Sequence, residues 1–506
     1  MLQINRVFSD HMVLQREKEI RIWGTCSENV PITAQLAGVT VKAKQNGDIW
    51  TAVFPPMQGK KGQTLTIRCK NDVIEINDVN IGEVWIAAGQ SNMEFYMKYD
   101  AEVLQEKQKC RQYDIRFYDI PETCYPGQEN DFDYSRMGFW RKCNAEDLDY
   151  FSAVAYYFAK EINEDLDVPI GIIGCNRGAS AASAWMSREI LEKNGQVWLN
   201  EYADMEDTGK QLEEFKKSRE ADTGNPFGSP DQEELLYGIS REKQMDIMAS
   251  MPEEMKVVRP AFNNRPGCLY QFMLKQIVPY TIRGILWYQG ENDVQHADLY
   301  KEIFRDLISF WRSLWKETIP FVCVQLAPFE EWLMCRGDQF PIIRQAQKEV
   351  ADEEEGVYLI SSSDAGMRYD IHPKMKRPIG ERLALCARKY IYNEPVHADA
   401  PEPDKIWTDG RTLMLHFKHD GEYLEIHGKC LNALKIFEYA GTKLKETGFT
   451  KEDIHIKNNI LMVPLDTWDG KKKLRVEYAQ CGYYEVNLYS NYGIPALPFV
   501  IETKAE

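Results

Sequence analysis

The feature that most constrains the fold is a repeated pairing of short, wholly apolar runs with amphipathic helical stripes between about residues 83 and 395. Val84-Trp85-Ile86-Ala87-Ala88, Pro169-Ile170-Gly171-Ile172-Ile173, Gly284-Ile285-Leu286-Trp287-Tyr288, Phe321-Val322-Cys323-Val324 and Val357-Tyr358-Leu359-Ile360 lack the polar alternation of a half-exposed strand. Continuous apolar runs of this length fit strands covered on both faces. Between them lie stripes at helical spacing: Phe151, Val154, Ala155, Phe158 and Ile162; then Leu299, Ile303, Leu307 and Phe310; then a closing helix from Arg377 to Tyr392. Strand–helix alternation of this kind predicts an α/β fold with a parallel central sheet.

The flanks read differently. Before about residue 82, Ile20 and Ile22, then Leu65, Ile67 and Cys69, alternate with polar residues, and Asn46-Gly47-Asp48 marks a turn. After about 396, Leu413, Leu415 and Phe417, then Leu474, Val476 and Tyr478, alternate in the same way. A chain of 506 residues exceeds one ordinary core. The expected organisation is a β-sandwich-like domain over 1–82, an α/β domain over 83–395 and a β-rich domain over 396–506. Residues 195–265 break the alternation; they are charged, Met-rich and helical in character, and read as an insertion near the active-site mouth.

Composition narrows the partners. A net charge of −17 repels nucleic acid and anionic membranes, so neither is an expected partner. A neutral or weakly charged small molecule fits better; a substrate carboxylate would need a local Arg or Lys. No run approaches the roughly 18 apolar residues of a membrane span. The N-terminus, Met1-Leu2-Gln3-Ile4-Asn5-Arg6, lacks a basic stretch followed by an apolar one. The 12 cysteines show no CxxC pairs or zinc spacing. Reduced thiols and a cytoplasmic location are therefore expected. The 12 Trp and 26 Tyr allow stacking on sugars, although most such rings serve cores.

Polar loops follow several of the predicted strands. In an open α/β sheet the ligand sits beyond the carboxyl ends of the strands. Gly89-Gln90-Ser91-Asn92-Met93 follows the first strand and places Ser91 at that edge, near a helix start whose N–H groups favour negative charge. A serine there more often caps a helix. The sequence is not GxSxG, so the α/β-hydrolase elbow does not apply. A serine nucleophile needs a base, and only eight histidines are present. His372, in Tyr369-Asp370-Ile371-His372-Pro373, follows the last strand of the α/β region. Asp370 lies two residues earlier, on the same side of an extended segment. Asp364 and a backbone carbonyl are rivals for orienting the imidazole. Gly174 to Ser180 and Gln289-Gly290-Glu291-Asn292-Asp293 leave the same edge and offer a glycine N–H and side-chain amides to an oxyanion. Singly, Gly178 also reads as a turn glycine and Asn292 as a helix cap.

Taken in order, these segments resemble the four blocks of the SGNH (GDSL-like) hydrolases, and within them the sialate O-acetylesterases and related carbohydrate acetylesterases. Val7-Phe8-Ser9-Asp10-His11-Met12-Val13-Leu14-Gln15-Arg16, Gly82-Glu83-Val84-Trp85, Trp287-Tyr288-Gln289-Gly290-Glu291, Asp370-Ile371-His372-Pro373-Lys374 and Asn487-Leu488-Tyr489 extend the resemblance over nearly the whole chain. It implies an SGNH-type three-layer α/β/α domain, Ser91 as nucleophile and His372 as base. It also implies an oxyanion site built from the N–H groups of Ser91 and Gly178 with Asn292, and Gln289 as a second candidate. Asp370 matches the acid loosely, because many SGNH enzymes place that Asp three residues before the His, here Tyr369. The second block has Arg177-Gly178-Ala179 where this branch has a Gly-Gly pair after Trp. Arg177 and Glu291 are then expected to line the substrate pocket. The implied activity is hydrolysis of O-acetyl esters of carbohydrates, foremost O-acetylated sialic acids, with no metal and no organic cofactor. An esterase for acetylated xylan or mannan oligosaccharides shares the same site. A non-catalytic carbohydrate-binding protein is the alternative of another class. A lipase or thioesterase ranks last, since the 195–265 segment is too charged for an apolar entrance.

Overall fold

The computed structural model describes residues 1–131, 134–203, 210, 212–214, 216–217, 230–253, 262–418, 423–466, 468 and 471–504. A large mixed sheet organises it. Its main path runs through strands Trp140–Lys142, Ile115–Asp119, Ile170–Asn176, Asp72–Gly89, Gly284–Tyr288, Phe321–Val324 and Val357–Ile360. All neighbours on this path are parallel except the Trp140–Lys142 edge. Four of the five wholly apolar runs lie inside the sheet, where every residue from Val79 to Gly89 is buried, while Val357–Ile360 forms its far edge with Tyr358 and Leu359 only partly buried. The helices pair off: Ala153–Leu166 lies along Arg377–Tyr390, and Tyr300–Trp315 lies along Phe340–Glu353. The first pair approaches closely at Gly380, where a Cβ would stand 2.5 Å from Tyr157 Cβ.

The Asp72–Gly89 strand does two jobs. Its first half pairs antiparallel with Lys60–Cys69, and its Asn80–Gly82 stretch pairs parallel with Val13–Gln15. Its second half is the centre of the parallel sheet, flanked by Ile170–Asn176 and Gly284–Tyr288. The register shifts near Asn77-Asp78, where Asp78 takes a φ of +53°. The bulge re-aims the strand as its burial changes from alternating to complete. The position expected to separate residues 1–82 from 83–395 lies within this continuous strand, and both stretches contribute to one hydrophobic core.

Residues after 400 build two four-stranded antiparallel sheets around a second core that includes Leu413, Leu415, Phe417, Val463, Leu474 and Val476. Arg344, fully buried, joins this part to the α/β region through the carbonyls of Cys481 and Gly482, each at 2.8 Å, and of Leu326 at 2.9 Å. Of the 195–265 segment, the helices Gln196–Glu201, Pro230–Tyr237 and Arg241–Ser250 are described; much of the remainder lies outside the described residues.

Candidate active site

The site begins with one glycine. Gly89 ends the central strand with φ +136°, and a Cβ there would sit 2.1 Å from the Tyr288 carbonyl oxygen. Only glycine lets the chain turn this close to the neighbouring strand. Ser91 then opens a single helical turn, Ser91–Glu94, at the carboxyl end of the sheet. Gln90 stays buried, and its Oε1 accepts N–H bonds from Gly290 (3.3 Å) and Asn292 (3.2 Å) and an amide bond from Gln289 (3.3 Å). The turn carrying Ser91 is thus fastened to the loop after the Gly284–Tyr288 strand.

His372 reaches the same edge from the loop after Val357–Ile360. Its Nε2 lies 3.0 Å from Ser91 Oγ. The ring is buried, stacked beside Phe95 at 6.4 Å and met edge-on by Trp332 at 5.3 Å. Burial, reinforced by the charges of Lys376 and Lys374, holds the imidazole well below its ordinary value, so it is neutral and able to accept a proton. Asp370 Oδ1 accepts the His372 backbone N–H at 2.8 Å and stands 3.7 Å from Nδ1, beyond hydrogen-bond reach. Its other oxygen pairs with Lys374 at 2.9 Å. Among the described residues, Nδ1 has no hydrogen-bond partner. Asp364 is occupied by Arg382 in a two-pronged pair, both contacts at 2.6 Å.

The remaining candidates separate by depth. Gly178 is adjacent to the nucleophile: a Cβ there would stand 3.7 Å from Ser91 Cβ and 3.2 Å from Glu94 Oε2. Asn292 is partly buried, and its backbone N–H is the one given to Gln90. Gln289 lies in the layer beneath, fully buried. Its amide donates to Ser180 O, Gln90 Oε1 and Asp293 Oδ2, and its own oxygen accepts from Tyr300. Glu291 is also buried, with Oε1 accepting from Asn92 Nδ2 at 2.6 Å. Arg177 is committed to Glu122 at 3.2 Å.

Several residues at the site carried no sequence signal that singled them out. Asn92, next to the nucleophile, donates to Glu291 and to the Ile371 carbonyl at 3.0 Å and accepts from the buried Lys376 at 2.6 Å. Glu94 is half-buried beside Ser91 and Gly178, with its Oε2 out of solvent. Burial first, and Glu122 second, push its carboxyl up to about 8 against Arg177 and the Gly178 N–H. Trp332 sits on a two-stranded hairpin, Glu331–Trp332 with Cys335–Arg336, which Arg241 grips through Glu331. The 195–265 segment touches the His372 loop again through Lys374 Nζ on Leu236 O (2.6 Å) and Gln244 Nε2 on Tyr369 O (2.8 Å).

Comparison with known proteins bears on this geometry. Residues 260–388 match the family described as carbohydrate esterase, sialic acid-specific acetylesterase. Sialate O-acetylesterase of Rattus norvegicus is 26% identical over 454 residues, covering 82% of this chain and 78% of that protein. Its Homo sapiens counterpart is 25% identical over 437 residues, covering 79% and 73%. A solved carbohydrate acetylesterase from Xanthomonas citri shares the fold, with a TM-score of 0.76 at 23% identity over 99% of this chain and 100% of that one. The chain is thus similar to sialate O-acetylesterases over most of its length and to the sialic acid-specific acetylesterase family over residues 260–388, and it is a carboxylic ester hydrolase.

Proposed function

We propose that the protein removes O-acetyl groups from carbohydrates, foremost O-acetylated sialic acids, through an acetyl-enzyme on Ser91. The observation that carries this reading is the 3.0 Å contact between His372 Nε2 and Ser91 Oγ at the carboxyl edge of the sheet. The sialate O-acetylesterase relatives supply the substrate class.

In the first step His372 accepts the Ser91 proton at Nε2 while Oγ attacks the acetyl carbonyl. The N–H groups of Ser91 and Gly178, the latter turned from the Glu94 carboxyl toward substrate, receive with Asn292 the negative charge that develops on the carbonyl oxygen. The sugar hydroxyl leaves with the proton from His372. Water then repeats the sequence on the acetyl-enzyme and releases acetate. Asp370 acts by fixing the backbone of His372 rather than by bonding Nδ1, which its Oδ1 leaves at 3.7 Å. Trp332, edge-on to His372, offers an apolar face to the sugar. An SGNH-type three-layer arrangement of residues 83–395, flanked by β-rich parts over 1–82 and 396–506, belongs to the same proposal.

Mass spectrometry of acetate released from O-acetylated sialic acids and acetylated xylo-oligosaccharides tests it. Release from the sialic acids that disappears in Ser91→Ala is expected. Release from the xylo-oligosaccharides alone would overturn the sialic acid assignment, and full release by Ser91→Ala would overturn the mechanism.

A further inference from the structure

Resting on the Ser91–His372 reading, the geometry points to Lys376 as a positioning residue for that pair. It holds three loops together through Asn92, and its buried ammonium opposes protonation of His372.

Lys376 has no exposed surface. An isolated ammonium is costly to bury unless charge and hydrogen bonds compensate it. Its Nζ donates to Asn92 Oδ1 at 2.6 Å and lies 4.6 Å from the centre of the Phe95 ring, while its backbone N–H donates to Asp100 Oδ2 at 3.0 Å. Asn92 spends its two amide hydrogens elsewhere, one on Glu291 Oε1 and one on the Ile371 carbonyl. One side chain next to the nucleophile therefore touches the loop after Gly284–Tyr288, the His372 loop and the lysine. Rotation of Asn92 would break all these contacts together, so Lys376 fixes the Ser91 turn against both neighbouring loops.

The second effect is electrostatic. The charged groups around this lysine are Glu291, Asp100, Asp370 and Lys374. Those acting on His372 are Lys376 and Lys374; Asp370 stands beside its ring, and Ser91 is its hydrogen-bond partner. Burial and Lys374 pull Lys376 down to about 7, against the three carboxyls. Below that pH the ammonium is charged, which is the range where a histidine would ordinarily take up a proton. Two positive charges close together in a buried site disfavour each other. The base thus stays free at pH values where a solvent-exposed imidazole is blocked.

Two variants and two readouts test this. Lys376→Gln keeps an amide donor toward Asn92 but no charge; Lys376→Met removes both. In each, the acid limb of kcat/KM should move toward higher pH by about 1 unit, and the plateau kcat should fall further in Lys376→Met. Nitrogen-15 NMR titration of His372 in the Ser91→Ala background should show the same upward shift without reference to turnover. Thermal melts show whether each variant folds; if Lys376→Met does not, Lys376→Gln and the NMR titration decide. An unmoved acid limb together with an unmoved His372 titration overturns the proposal. Esterase activity surviving Ser91→Ala would instead overturn the underlying reading while leaving the NMR titration interpretable.

Discussion

The interior of the central strand Asp72–Gly89 and the turn past its carboxyl end both surround buried charge, and they handle it in opposite ways. Toward the middle, Glu83 has no exposed surface, yet it is fully paired: Arg16 at 2.6 Å, Arg283 at 2.7 Å, Gln15 at 3.1 Å and the Tyr392 hydroxyl at 3.1 Å. Burial alone would raise its carboxyl, but the hydrogen bonds and charges of Arg283 and Arg16 outweigh that and hold it below the usual range. Past Gly89 the balance reverses. Glu94 Oε2, Glu291 Oε2 and His372 Nδ1 are buried without hydrogen-bond partners among the described residues, and burial drives Glu94 and Glu291 upward. A satisfied cluster fixes structure; an unsatisfied one stores polar capacity that a reacting group can use. A structural centre on this strand and a chemical one just past its end thus lie close along the chain, at Glu83 and Ser91.

Ways to break this contrast differ in size. The largest effect is expected at the chemical end: Ser91→Ala should lower kcat on p-nitrophenyl acetate by at least ~10³-fold with little change in melting temperature. A variant that melts much earlier would show that Ser91 belongs to the structural side. Next comes the reverse experiment. Glu83→Ala leaves two buried guanidinium groups without their anion and should destabilise by about 3–5 kcal/mol in urea denaturation. If stability were kept, the Glu83 cluster would not be the structural centre.

Glu94 gives a smaller effect with a distinct signature. Its carboxyl stays protonated in the folded protein up to about 8, while the unfolded chain releases that proton near the ordinary 4.5. The folded form then binds more protons between those values, so this residue's contribution to stability falls as pH rises from about 4.5 to about 8. Glu94→Gln should flatten that slope in melting temperature against pH; an unchanged slope would remove Glu94 from the unsatisfied set. The smallest effect is expected at the rim: Trp332→Ala should raise KM for acetylated sugars about three- to tenfold with kcat nearly kept. A fall in kcat alone would instead tie Trp332 to the His372 ring.

The contrast also explains what the sequence makes legible. The apolar runs are unambiguous because a strand covered on both faces has no room for polar alternation. Each polar loop that follows such a run sits at the carboxyl edge by topology alone. Ser91 and His372 both stand in such loops, and the structure puts them in contact. Depth is another matter. Gln289, Glu291, Asn92 and Lys376 are polar residues whose sequence suggests exposure, and only the fold shows that they are buried, with Asn92 bonded to Glu291 and Lys376 and Gln289 bonded to Gln90, Ser180 and Asp293. The long strand is hidden for a similar reason: Asn77-Asp78-Val79-Asn80-Ile81-Gly82-Glu83 is polar enough to read as a linker. Asn80 and Glu83 are buried with partners supplied from Asp114, Gln15, Arg16 and Arg283, far away in sequence. Trp332 lies on a hairpin of two-residue strands, too short to produce any periodicity.

That single strand sets how the chain can be divided. The Val84 N–H is bonded by Gln15 Oε1 at 2.8 Å, and Glu83 depends on Arg16. A fragment starting at residue 83 would lose both, together with the Val13–Gln15 and Lys60–Cys69 neighbours of the strand upstream. Proteolysis that severs the first eighty residues should therefore release an insoluble remainder rather than a smaller working enzyme. In the history of such chains, the leading β segment and the hydrolytic part would have had to be inherited together.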